Sequence, residues 1–251
     1  MKPTHTPSIG GRYWVAITLA SIFGTNLGDL YAHESGFGLM QGAAVLLLLA
    51  SVVFVVERAD RRTHQIYYWL VIVIIRTGAT NIGDYLAYVV RIPGILLILG
   101  LSALIAVLAF TAGWTEKTGN KPVPDSIPAT GGVYWFTMLV AGVFGTVFGD
   151  VASRAIGQGM ASIVLGLFLG FVLWVGSGKA ATAIGMYWFT VAIVRTLGTT
   201  MGDWLAENKL LHIGLPASTV ITGLVFVTVL LVWRGRLAAT RVGLAPRGRS
   251  G

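Results

Sequence analysis

Four stretches of this chain contain no charged residue: Gly38 to Val56, Ile92 to Gly113, Gly157 to Gly178 and Ile213 to Trp233, each 19 to 22 residues long. A helix rises 1.5 Å per residue, so about 20 residues cross a hydrocarbon core of roughly 30 Å. Four further stretches are apolar but carry one or two charges: Tyr13 to Ala32, Tyr67 to Val90, Val133 to Ala155 and Met186 to Ala206. Backbone in lipid must satisfy its own hydrogen bonds, which leaves helices and closed barrels. These runs are too continuous for the alternating pattern of a barrel. The expectation is an all-α, polytopic transmembrane bundle of eight helices. Composition agrees: 55% of residues are hydrophobic and 11% charged, less than half the charge of about 25% in a soluble domain. The same apolar excess excludes disorder. With no cysteine in the chain, disulfides, thiolate metal sites and cysteine nucleophiles are excluded.

Basic residues divide the connections into two sets. One set holds Lys2 and Arg12, then Arg58, Arg61 and Arg62, then Lys117 and Lys121, then Lys179, then Arg234, Arg236, Arg241, Arg247 and Arg249. The other holds only Arg91, Arg154 and Lys209. Basic residues are retained on the cytoplasmic side, so both termini are expected in the cytoplasm and the inner membrane is the expected location. The net charge of +8 reads as topology, with the basic tail against anionic lipid, and not as a nucleic-acid surface. The first apolar run contains Asp29 and is followed by equivalent runs, so it reads as a retained span and not a cleaved signal.

The chain also repeats. Aligned on Tyr13-Trp14, Tyr68-Trp69, Tyr134-Trp135 and Tyr187-Trp188, it places a threonine eleven residues after each tryptophan, Thr25, Thr80, Thr146 and Thr199. Fifteen residues after each comes an aspartate, Asp29, Asp84, Asp150 and Asp203, preceded by Gly28, Gly83, Gly149 and Gly202. A small residue precedes each threonine: Gly24, Ala79, Gly145 and Gly198. Arg76-Thr77 and Arg195-Thr196 mark the second and fourth copies, where the first and third have Ser21 and Gly142. Matches without gaps at several positions indicate a tandem repeat, one charged-motif helix followed by one plain helix. The expected halves are 12–113 and 132–233, joined by a cytoplasmic linker 114–131 and followed by a tail 234–251. Two spans per repeat make all four copies parallel.

This pattern resembles a family of bacterial membrane proteins built from four tandem copies of a two-helix repeat of unknown function with a signature tryptophan, labelled uncharacterised membrane-anchored proteins. The resemblance extends from about Gly11 to Trp233 and is best over Tyr187 to Asp203, YWFTVAIVRTLGTTMGD. Ala79 departs from the glycine of the other copies. The resemblance implies topology and no activity.

At about 100° per residue, arginine, threonine and aspartate fall on one face of each motif helix, within about 60° of the tryptophan. The glycines lie beside that stripe at small-xxx-small spacing, which lets backbones approach. Gly24, Gly28, Gly83, Gly145, Gly149, Gly198 and Gly202 are therefore expected at helix contacts. Trp14, Trp69, Trp135 and Trp188 are expected as interfacial anchors. The four aspartates, roughly 22 Å further along, share a level in the outer part of the core, and Arg76 and Arg195 lie near its middle. A charge there costs about 2.5–3.5 kcal/mol on insertion scales, so partners are required.

A ring of carboxylates with threonine hydroxyls suits a hard cation or protons, making Asp29, Asp84, Asp150 and Asp203 the candidate metal or proton ligands. The Thr25, Thr80, Thr146 and Thr199 hydroxyls would complete the shell, and Arg76 and Arg195 would act as counter-ions. The expected function is a transporter or permease for a small cation, divalent or proton-coupled. The alternative is a membrane scaffold, sensor or regulator in which the stripe is structural. No HExxH, GxSxG or Walker sequence occurs, so no enzyme and no organic cofactor are expected. His33, Glu34, Glu207 and His212 fall in outer loops.

Overall fold

The computed structural model describes residues 6–34, 36, 39–60, 64–118, 127–128, 130–176 and 184–243. Residues 119–126 and 129 of the linker 114–131, the end of the tail from 244, and several basic residues used for orientation (Lys2, Arg61, Arg62, Lys121, Lys179, Arg247 and Arg249) lie outside them. The described residues form eight α-helices and no strand: α1 (Gly11–Glu34), α2 (Leu39–Ala59), α3 (Ile66–Asp84), α4 (Gly94–Thr118), α5 (Gly132–Ile156), α6 (Gln158–Gly176), α7 (Ile184–Glu207) and α8 (Gly214–Gly243). A five-residue π-helical turn, Tyr85–Val89, extends α3. The chain then reverses through Arg91 at φ 61°, just before Pro93, which cannot continue a helix. The turn from α5 to α6 is shorter still. Gly157 alone makes it at φ 82°, a conformation that is costly for any residue with a Cβ.

Five helices are long and apolar enough to cross a membrane: α3 with its π turn, α4, α5, α6 and α8. The protein is accordingly a membrane protein. The count of eight apolar spans is thus met by five; α2 contributes a shorter apolar helix, Gln41–Glu57. The polar motif accounts for α1 and α7, which carry Arg12, Asn26, Asp29 and Glu34, and Arg195, Asp203 and Glu207, within their lengths.

The helices sort into two shells. Helices α1, α3, α5 and α7 each pack on the next, and α7 packs back on α1, closing a ring. Outside it, α2 packs on α3, α4 on α5, α6 on α7 and α8 on α1. The α3 and α5 spans are 67% and 56% buried, against 17 to 28% for α4, α6 and α8. Outer-shell residues such as Leu47, Val55, Phe110, Leu167 and Leu224 project outward, presenting the apolar surface a bilayer solvates.

Small residues set the spacing of the inner ring. A Cβ added to Gly24 would lie 2.6 Å from Arg76 Cγ; one on Gly145 would lie 2.5 Å from Arg195 Cβ and 2.6 Å from its backbone carbon; one on Gly198 would lie 2.5 Å from Ser21 Cβ. One turn further along, Gly28 meets Thr80, Gly83 meets Thr146, Gly149 meets Thr199, and Gly202 meets Asn26 and Thr25. In every case the small residue of one copy faces the arginine or threonine position of the next, and the fourth copy faces the first. All seven glycines expected at helix contacts are found there.

Ala79, the departure from the pattern, is explained by its partner. It faces Gly142, where an added Cβ would lie 2.6 Å from the alanine methyl. Room for one methyl exists at that junction, and α3 supplies it instead of α5. Gly142→Ala is expected to lower stability by about 1–3 kcal/mol, the usual cost of overpacking, and Ala79→Gly combined with Gly142→Ala to recover most of it. Melting temperatures of the purified single and double variants check this; a double variant no better than the single would refute the shared-methyl account.

Candidate functional site

The ring encloses a column of polar layers, built from one residue of each motif helix per layer. At one end stand Tyr13, Tyr68, Tyr134 and Tyr187, each only 2 to 3% exposed. Their hydroxyls close a square: Tyr13 to Tyr68 at 3.0 Å, Tyr68 to Tyr134 at 2.7 Å, Tyr134 to Tyr187 at 2.8 Å and Tyr187 to Tyr13 at 2.7 Å. A phenol has one donor and accepts readily, so each hydroxyl can donate to one neighbour and accept from the other. The tryptophans back this square. Tyr13 packs on Trp69, Tyr68 on Trp135, Tyr134 on Trp188 and Tyr187 on Trp14, with centroids 5.4 to 6.0 Å apart. Trp69 and Trp188 are buried, so for these two the expectation of interfacial anchoring gives way to packing within the protein.

The next layer holds the arginines. Both are completely buried, and neither pairs with an aspartate; the ion pair found among the described residues is Arg154 with Asp150 at 3.6 Å. Arg76 instead reaches across the bundle to threonines on the three other motif helices. Its Nη2 donates to Thr25 Oγ1 at 2.6 Å and Thr199 Oγ1 at 2.5 Å, and its Nη1 to Thr146 Oγ1 at 2.9 Å and the Gly142 carbonyl at 3.2 Å. Thr80, on the same helix, donates to the Arg76 carbonyl at 3.3 Å. The threonine layer expected to complete a cation's shell is thus occupied by a side-chain cation of the protein itself. Arg195, the pseudo-equivalent residue, has the four tyrosines as its electrostatic neighbours, whereas Arg76 has Asp29, Asp203 and Asp84.

The four aspartates form the last layer, and all are partly exposed. They lie near enough to interact with one another electrostatically, but they do not converge. Among the described residues no group of three or more histidine or carboxylate side chains is placed to hold a metal ion. Two of them, Asp150 and Asp203, line a cavity of about 470 Å³, with Glu207, Tyr88, Arg154 and Gln158. Tyr88, carried by the π turn, donates to Asp150 Oδ2 at 2.7 Å and accepts from Arg154 Nη2 at 2.5 Å. Gln158 Nε2 donates to Glu207 Oε2 at 2.6 Å.

Four residues after each aspartate stand His33, Tyr88, Arg154 and Glu207. The column is pseudo-fourfold at its tyrosine end and asymmetric at this mouth. Sequence reasoning missed the tyrosine square and the mouth residues Tyr88, Arg154 and Gln158. The square had a signal, since its tyrosines recur in all four copies. The mouth had none, because its residues differ from copy to copy.

The family model described as Repeat of Unknown Function (DUF347) matches this chain twice, over residues 12–63 and 186–236. These stretches are α1 with α2 and α7 with α8. No curated protein and no solved structure matches the chain.

Proposed function

We propose that this chain, a bearer of the repeat of unknown function, is a permease of the bacterial inner membrane that moves a small cation or protons, with the four aspartates as its outer binding layer. In this reading all eight helices span. The four copies run parallel about an axis along the membrane normal, and both termini lie in the cytoplasm. The observation that carries it is the order of the column. A carboxylate layer opens to a polar cavity at one end, and a hydrogen-bonded tyrosine square closes the other. Such an arrangement describes a pathway open to one side and shut to the other, as alternating access requires. Carboxylates that do not converge on a metal favour proton coupling over a stored divalent ion. Arg76 then serves as an internal counter-charge, held by threonine hydroxyls until the aspartates change protonation.

The test is flux into proteoliposomes driven by a pH gradient, with Asp203→Asn and Asp84→Asn beside the native chain. Neither aspartate pairs with a buried arginine, so both variants are expected to fold and to lose flux by about a hundredfold or more, the scale on which a proton-transfer group contributes. Native flux in folded Asp203→Asn and Asp84→Asn would rule the carboxylate layer out.

A second reading has its own observation. Arg76 is bound by residues of three other helices, a clasp that would hold a scaffold together without transport. It predicts no flux above protein-free vesicles in the native chain and unchanged stability in the Asp84→Asn and Asp203→Asn variants.

A further inference from the structure

Seven residues beyond each tryptophan lie Ser21, Arg76, Gly142 and Arg195. The three with polar side chains are 0% exposed. Their hydrogen bonding is incomplete, and what the two arginines lack is acceptors. The two terminal nitrogens of Arg76 are engaged by the threonines and Gly142. Its Nε, all three nitrogens of Arg195 and the Ser21 hydroxyl have no hydrogen-bond partner among the described residues. Arg76 and Arg195 interact electrostatically with each other. The tyrosines that Arg195 faces already bond to one another around their square.

Guanidinium nitrogens only donate, so whatever satisfies this level must accept. A water molecule accepts two bonds, brings two donors of its own and leaves both charges uncompensated. An anion accepts from every group present and offsets the like-charge repulsion, which is severe where the dielectric constant is low. Size is restricted too. Ser21 packs against Gly198, Arg195 against Gly145 and Gly142 against Ala79, so the backbones around this level are in close contact. Such packing admits only a small ion. We propose that Arg195, Ser21 and the Nε of Arg76 form a site for one compact inorganic anion of the halide class inside the bundle. The site is separate from the aspartate layer, and its occupation does not depend on whether the chain transports anything.

The full chain, purified in detergent at a fixed sodium concentration, is titrated with chloride or bromide in place of gluconate while its melting temperature is followed. Halide is expected to raise the melting temperature saturably, by roughly 3–6 °C at about ten times the dissociation constant, and Arg195→Met to abolish the rise. An equal rise in gluconate, no rise at all, or a rise that persists in Arg195→Met would overturn the site. Should Arg195→Met not fold, crystals of the native chain soaked in bromide decide. An anomalous peak within hydrogen-bonding distance of Arg195 supports the site, and bromide found only at the protein surface, an adventitious ion only, overturns it.

Discussion

Alanine in place of Gly145 is expected to prevent recovery of folded protein, while the same change at Gly166 leaves yield and melting temperature intact or slightly improved. The contrast isolates the inner ring from the outer shell. At Gly145 a methyl group would meet Arg195 Cβ at 2.5 Å, its carbonyl carbon at 2.6 Å and its oxygen at 2.8 Å. Two of those atoms are backbone and cannot rotate away, so α5 and α7 must separate. That opens the Gly149–Thr199 contact one turn on and shifts Thr199 relative to Arg76. Overpacking commonly costs about 1–3 kcal/mol; here the expected loss is at least the upper end of that range. At Gly166 nothing lies within 4 Å of the added atom, and alanine gains about 0.5–1 kcal/mol over glycine inside a helix. Size-exclusion yield in detergent and thermal melts of both variants check the pair. Similar behaviour of the two would mean that α5 and α7 do not touch at this residue.

The second large effect is a difference in sign between two arginines that the repeat makes equivalent. Arg76→Met removes four hydrogen bonds from a charged donor, each of about 1.5–3 kcal/mol. It gains back only the cost of a mid-membrane charge, about 2.5–3.5 kcal/mol. A net loss of about 3 kcal/mol or more is expected, or roughly 6–12 °C in melting temperature. Arg195→Met removes the same charge but no hydrogen bond, so in halide-free buffer it is expected to raise the melting temperature. Melts of both variants without halide provide the check. Equal destabilisation by the two changes would show that Arg195 has partners comparable to those of Arg76.

Much of the architecture was legible because it depends on length and spacing alone. Uncharged runs of 19 to 22 residues fix helices, and a tryptophan-to-aspartate spacing kept in four copies puts like residues at like levels. The glycine contacts followed from the same count. What the sequence hid was the identity of partners. Opposite charge suggested that Arg76 would find an aspartate, yet Asp84 lies eight residues on, roughly 12 Å along a helix, whereas the threonine level is only four residues, roughly 6 Å, away. Reach decided that choice, and the threonines are the nearer acceptors. Tyrosine beside tryptophan reads as a membrane-surface pair. Only the packing of four separate helices turns the tyrosines inward and their hydroxyls toward each other. Ala79 looked like a defect until Gly142 was seen opposite it. The π turn that brings Tyr88 to Asp150 leaves no periodic trace, and the asymmetric mouth it helps form is the part most tied to the proposed function.

The clasp around Arg76 also sets a timetable for biogenesis. Thr25 has already been made when Arg76 leaves the ribosome, but Thr146 lies 70 residues later and Thr199 123 residues later. At roughly 5–20 residues per second of translation, the last grip arrives about 6–25 s after the guanidinium. Throughout that interval the newborn first half holds a cation that lacks part of its grip, with only Thr25 made at the start, beside an open flank of glycines. Only the emergence of the final copy, whose α7 closes on α1, withdraws both from view. An unfinished or truncated copy therefore displays within the bilayer a charge that the finished molecule conceals, and this chemical difference separates incomplete chains from complete ones for any surveillance protease working in the membrane.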